Sequence, residues 1–171
     1  MNSEYYRHGL RLEIIDANHP LWSEAINQVY LRYKQAFDAN LCSYMPAFLA
    51  LIQDGEIKSL CGFRIAKNEP LFLEQYLDQS ADEILSSRFH CSITRDRLVE
   101  FGQLASFARG FSPIHFTLIA EKLVELGYEW CIFTATDPLH VLMRRLSLQP
   151  AIIAEANPNR ITDATAIWGT Y

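Results

Sequence analysis

The spacing of hydrophobic positions changes several times along the chain, and each change marks an element. Leu10, Leu12 and Ile14 alternate with Arg11 and Glu13, so Leu10 to Ile15 predicts a first, half-buried strand. After Asn18-His19-Pro20 the period lengthens. Trp22, Ile26, Val29, Tyr30, Tyr33 and Phe37 recur three and four apart and predict a helix to about Asn40. The aromatic stripe reads as core packing, or else as one wall of an acyl or substrate pocket. Ala47 to Gln53 and Ile57 to Ala66 are apolar runs joined by Asp54-Gly55, a two-residue hairpin turn. Asn68-Glu69-Pro70 breaks the second run. Leu71 to Leu77 is a short apolar segment with Glu74 embedded, Asp82 to Leu85 reads as a helical turn, and Ile93 to Arg97 leads onward.

The stretch from Leu98 to Leu148 organises the rest. Leu98 to Phe107 predicts a strand and Ala108 to Ser112 a loop. A helix follows from near Pro113, opened by Ser before Pro and closed by Gly127. Trp130 to Thr136 is an apolar, β-branched strand, and Asp137-Pro138 opens another helix. Two strands joined by a crossover helix lie parallel, and the loop before that helix aims backbone N–H groups at a phosphate-sized site. Ala151 to Ala156 and Ala166 to Trp168 predict two closing strands. The order implies an α/β fold, a mixed β-sheet with helices on both faces.

Composition narrows the function classes. The chain has 171 residues, half of them hydrophobic, ample for one core. A net charge of −5 without a Lys/Arg cluster argues against a nucleic-acid partner. The N-terminus MNSEYYRHGLRLEII lacks the apolar core of a secretory signal, and no apolar run reaches the ~18 residues of a membrane span. Cys42, Cys61, Cys91 and Cys131 form no CxxC pair and read as free thiols of a cytoplasmic protein. The His and acidic residues show no metal-ligand spacing, so no metal is expected, and there is no Gly-x-Ser-x-Gly elbow of a hydrolase.

Several strings occur together in order. They are Arg32-Tyr33, Phe37 to Leu41, Tyr44-Met45-Pro46-Ala47, Cys61 to Ala66, Leu71 to Leu77, Val99 to Ala105, Trp130 to Thr136, and the closing Trp168-Gly169-Thr170-Tyr171. Through them the chain resembles the bacterial thermostable hemolysin family, grouped with the GNAT-like N-acyltransferase folds, over most of its length from about residue 29. The family pattern carries Asn where this chain has Gln103, and it extends a little beyond the WGTY string. A looser similarity, through Gly62, Arg64, Leu71 to Leu77 and Glu100, is to the acyl-homoserine-lactone synthases, the autoinducer synthases. Their N-terminal acidic cluster is missing here, so their amine substrate does not carry over.

The resemblance implies one GNAT-like acyltransferase domain over residues 1–171. It implies an acyl donor substrate, acyl-CoA or an acyl-carrier protein, with no permanently bound cofactor, and a small-molecule amine as acceptor. In that fold the strand before the loop offers a backbone N–H to the thioester carbonyl. This assigns Leu104, Ala105, Ser106 and Phe107 to donor binding, with Arg109, Gly110 and Ser112 holding phosphate. Only one glycine stands in that loop, and an ordinary strand-to-helix turn is the other reading. Glu100 on an apolar strand reads as a catalytic base or as a structural partner of Arg64. Glu74 poses the same choice, with Gln75 and Tyr76 beside it as substrate-binding candidates. Arg64 suits a substrate carboxylate. Gln103 and Thr136 are further substrate contacts, the latter beyond the carboxyl end of a parallel strand. Asp137 reads as a helix cap. His140 reads as a surface residue or as the proton donor to a leaving thiolate. Three functions therefore compete: N-acyltransferase, membrane-lytic hemolysin, and a non-catalytic acyl- or CoA-binding module.

Overall fold

The computed structural model describes residues 9–107 and 112–171. Five strands form one sheet in the order β1-β2-β3-β4-β5. They are β1 (Leu10–Asp16), β2 (Ala47–Gln53), β3 (Glu56–Ile65), β4 (Leu98–Ser106) and β5 (Trp130–Phe133). The first four are antiparallel neighbours, and β4 and β5 are parallel. The parallel pair is joined through α3 (Ser112–Glu125), as the sequence pattern requires of a strand-helix-strand unit.

Alternation along the strands sends side chains to two cores. Phe48, Ala50 and Ile52 of β2 pack with Ala25, Val29 and Tyr33 of α1 (Trp22–Phe37). Leu49 on the same strand packs with Cys61, Phe63 and Val99, and with Ile119 and Leu123 of α3. Helices therefore cover both faces of a mixed sheet, which is the expected α/β class. Phe48 is wholly buried; enclosing an apolar side chain of that size stabilises the fold by about 2–3 kcal/mol. The α1 stripe is as read from the sequence, although the helix stops at Phe37, where Asp38 turns left-handed (φ 52°).

A third apolar cluster holds Leu71 and Leu73, α2 (Ala81–Phe89) and Leu98 together at one end of the sheet. The apolar segment at Leu71 is not extended: Phe72–Tyr76 is a 3₁₀ turn. α4 (Asp137–Arg145) follows β5, which ends at Phe133 rather than Thr136. Neither closing strand forms. Ala151 to Ala156 has no ladder partner and exposes Ile152, and Ala166 to Trp168 lies in the short helix α5 (Ala164–Trp168). Among the described residues no strand lies beside that segment to stabilise an extended form. Instead, Trp168 packs edge-on against Phe72 (5.7 Å) and Tyr33 (6.4 Å).

Candidate functional site

The site is made by an irregularity in β4. Between the pairs Leu60↔Ala105 and Gly62↔Gly102, β3 uses one residue and β4 uses two, Gln103 and Leu104. Gln103 takes the extra step with a φ of 50°, unusual for a side chain of its size. Its amide spans to the loop after α1: Oε1 accepts from Met45 N (2.8 Å), and Nε2 donates to Ser43 O (2.9 Å). Those two bonds hold the left-handed residue in place. Beside it, Gly62 and Gly102 sit under the Met45 side chain; a Cβ on Gly62 would stand 2.6 Å from Met45 Cγ and 2.8 Å from Gly102 O. Three strings noted in the sequence, around Met45, Gly62 and Gln103, thus form one joint.

The bulge parts the parallel strands. β4 pairs with β5 only from Leu98↔Trp130 to Phe101↔Phe133, although β4 continues to Ser106. A cavity of about 570 Å³ opens at the parting, between Gly102-Gln103 and Thr134 to Asp137. Its other walls are aromatic, among them Tyr33, Phe72, Tyr76, Trp168 and Tyr171. The closing tail is fixed there by Thr170 N donating to Phe37 O and Asn40 N donating to Ile167 O, both at 2.8 Å. Gly169 (φ 60°) lies so close to the end of α1 that a Cβ would fall 2.0 Å from Phe37 O. Much smaller space lies on the opposite side of the gap, against Leu104, Phe116 and Met143; Tyr171 reaches both.

Glu100 is the buried carboxylate of the cavity, 2% exposed. Its Oε1 accepts from Leu73 N and its Oε2 from Phe72 N, both at 2.8 Å, capping the 3₁₀ turn. Arg64 Nη1 lies 3.5 Å from Oε2. Burial pushes the Glu100 carboxyl above its ordinary pKa; the two amides and Arg64 pull against that without overcoming it. Both readings of Glu100 therefore coexist in one geometry: it pairs with Arg64, and it lines the cavity with a raised pKa.

Arg64, Tyr76, Gln103 and Thr136 line the cavity as well. Glu74, Gln75 and His140 do not. Glu74 Oε2 accepts from Leu71 N (2.8 Å) and Oε1 from Ala81 N (2.9 Å), and Arg95 Nη1 reaches Oε1 at 2.6 Å while also bridging to Asp82 (2.9 Å). It ties the 3₁₀ turn to the start of α2, a structural task. Gln75 is exposed and folds back onto Phe72 O. His140 stands half-buried in the first turn of α4. Of the donor-strand residues, Leu104 faces the smaller space, Ala105 is buried in the α1 core, Ser106 is half-buried, and Phe107 is exposed. Arg109 and Gly110, with the loop 108–111, lie outside the described residues, as does the Ser112 side chain.

Sequence reasoning missed Met45, Phe72, Trp168 and Tyr171 as site residues. All four stand in the strings that carry the family resemblance, and that was the available signal. Among the described residues no three His, Cys, Asp or Glu side chains form a metal-binding group. No helix among them is long and apolar enough to cross a membrane.

Solved structures share this architecture at low identity. An aminoglycoside acetyltransferase, meta-AAC0020, from an uncultured soil metagenomic sample and bound to sisomicin, is 14% identical. It covers 90% of this chain and 98% of its own, with a TM-score of 0.55. FeeM, an N-acyl amino acid synthase from uncultured soil microbes, is 14% identical over 78% of this chain and 76% of its own, with a TM-score of 0.53. A second aminoglycoside acetyltransferase, HMB0005, from an uncultured soil metagenomic sample, is 16% identical over 87% and 97%, with a TM-score of 0.50. At such identities the likeness is one of fold, and the fold is GNAT-like. No curated protein matches the chain in sequence. The family model for thermostable hemolysin matches residues 15–171, nearly the whole chain, and the protein belongs to that family.

Proposed function

We propose that the protein is an N-acyltransferase. It moves an acyl group from a thioester of coenzyme A or of acyl-carrier protein to the amine of a small molecule, with the whole chain as one catalytic domain in the cytoplasm. The observation that carries this reading is the parting of β4 and β5 at the Gln103 bulge, directly beside a cavity that holds one buried carboxylate. At the bulge, the β5 side of Gly102 to Leu104 has no ladder partner among the described residues, so main-chain groups there are open to a thioester lying in the gap. The acyl and acetyl transfer named for the structural neighbours agrees with the reading.

The amine nitrogen attacks the thioester carbonyl carbon, and negative charge gathers on the carbonyl oxygen. A fixed N–H donor at that oxygen is worth about 10²–10³ in rate. The C–S bond then breaks, the thiolate takes up a proton, and the nitrogen loses one. Glu100, with its raised pKa, suits the last step, because Oε1 keeps a free lone pair beside the one amide N–H it accepts, while Oε2 is shared by Phe72 N and Arg64 Nη1. The segment 108–111 is where donor phosphate would sit, ahead of the α3 N-terminus.

The test is release of free thiol from acetyl-, medium- and long-chain acyl-CoA and from acyl-carrier protein in the presence of amines, with the amide product identified by mass. Absence of both donor binding and thiol release refutes the reading; binding without turnover supports the non-catalytic module instead. The family's description supplies the second reading, membrane lysis. Haemolysis by purified, detergent-free protein, abolished by unfolding it, supports that reading. Lysis seen only with expressing cells, and lost in Gly110→Trp, traces instead to an acylated product.

A further inference from the structure

Two buried N–H groups of the cavity wall have no hydrogen-bond partner among the described residues, Arg64 Nε and Trp168 Nε1. Buried donors are seldom left so, and each lacks about 1–3 kcal/mol of the bonding it would have in water. Both are donors, so what they lack is an acceptor. Arg64 has two carboxylates nearby, and neither takes its Nε–H in line. Glu100 Oε2 is 3.5 Å away and already accepts the Phe72 N–H. Glu69 Oε2 approaches Nε to 3.0 Å but out of line for a hydrogen bond, and it stands more exposed than Arg64. A carboxylate offers two acceptor oxygens and a charge that strengthens a hydrogen bond from a guanidinium. Around these donors the walls are aromatic rings: Tyr33, Phe72, Tyr76 and Tyr171.

We infer that the acceptor is an α-amino acid with an apolar or aromatic side chain, its carboxylate held by Arg64 and Trp168 and its side chain among the rings. The inference rests on the acyl-transfer reading for the fate of the amine. A carboxylate fixed on Arg64 leaves the neighbouring amine free to turn toward the gap at Gly102-Gln103. A cavity of this size takes a drug-sized ligand, room for an amino acid and the reactive end of an acyl chain. A polycation would set its charges against Arg64.

Calorimetry without any donor tests the recognition alone. L-Phenylalanine, L-tyrosine and L-leucine are compared with phenethylamine, which lacks the carboxylate, and with sisomicin. The amino acids are expected to bind, with phenylalanine at least about tenfold tighter than phenethylamine, as charge-assisted hydrogen bonds imply. Arg64→Gln should bring that ratio close to one. Trp168→Phe, which keeps an aromatic ring and loses the N–H, should lower it several-fold and carries the test if Arg64→Gln does not fold. Equal or tighter binding of phenethylamine or sisomicin overturns the inference, as does binding of none of the amino acids or a ratio unchanged in both variants. Thiol release with phenethylamine but not with amino acids would overturn it and keep the acyl-transfer reading. Carboxylate-dependent binding with no thiol release from any donor would keep it and overturn that reading.

Discussion

His115 lies at the end of the first turn of α3, just past the segment where donor phosphate is proposed, and it is 1% exposed. Its Nε2 is 3.0 Å from Leu49 O and its Nδ1 2.7 Å from Ser59 Oγ. A carbonyl only accepts, so Nε2 carries the proton, and Nδ1 accepts from the serine hydroxyl. The neutral ring thus fastens the start of α3 to β2 and β3. Burial lowers its pKa to about 4, with the Leu49 carbonyl pulling slightly upward. A folded pKa below the unfolded value of ~6.5 means that the unfolded chain binds the proton first. The stability at stake is therefore whole above pH 6.5 and declines as pH falls toward 4. The full shift corresponds to about 3 kcal/mol, of which roughly 2 kcal/mol is lost between pH 7 and pH 5. Urea unfolding of the wild type and of His115→Gln across that interval isolates the effect. The variant should start less stable at pH 7, and the difference between the two proteins should shrink by about 2 kcal/mol at pH 5. A difference that stays constant within about 0.5 kcal/mol would refute the idea of a neutral, buried ring.

Three further substitutions probe the joint and the tie. Gly62→Ala, whose Cβ meets backbone at Gly102 O, is expected to cost about 2–3 kcal/mol, more than Gly102→Ala, whose Cβ meets only the flexible end of Met45 at 2.4 Å; thermal melts of the pair check the order, and the reverse order refutes it. Glu74→Gln should lose about 2–3 kcal/mol of stability, since a half-buried anchor of Arg95 is removed, while kcat/KM of the folded fraction stays within about threefold; a hundredfold loss of activity at unchanged Tm would restore a chemical role.

How far the sequence could be read depended on where each residue's partners lie. The five strands and α1 were legible because periods of 2 and 3.6 are local, and the hairpin turn Asp54-Gly55 marked its own register. Short apolar runs were not. Leu71 to Leu77 and Ala166 to Trp168 are too brief for a period to show, and tertiary neighbours made one a 3₁₀ turn and the other a helix. Glu74 and Glu100 looked alike in sequence, each an acid among apolar residues. Only Arg95, twenty-one positions along, separates them, by drawing Glu74 out of the cavity wall. Gln103 was named as a contact, yet nothing local foretells a left-handed glutamine. Its conformation depends on Ser43 and Met45, some sixty residues earlier.

That left-handed glutamine has a thermodynamic corollary. Opening a paired parallel ladder to admit a ligand would sacrifice main-chain hydrogen bonds, and the penalty would be subtracted from affinity. Here the strands separate at residue 102 as part of the fold, and folding itself has already absorbed that expense. Binding then starts from a receptive geometry, so association should be fast and nearly rigid-body. Sequence changes that relax Gln103 should weaken binding chiefly by letting the cleft zip shut.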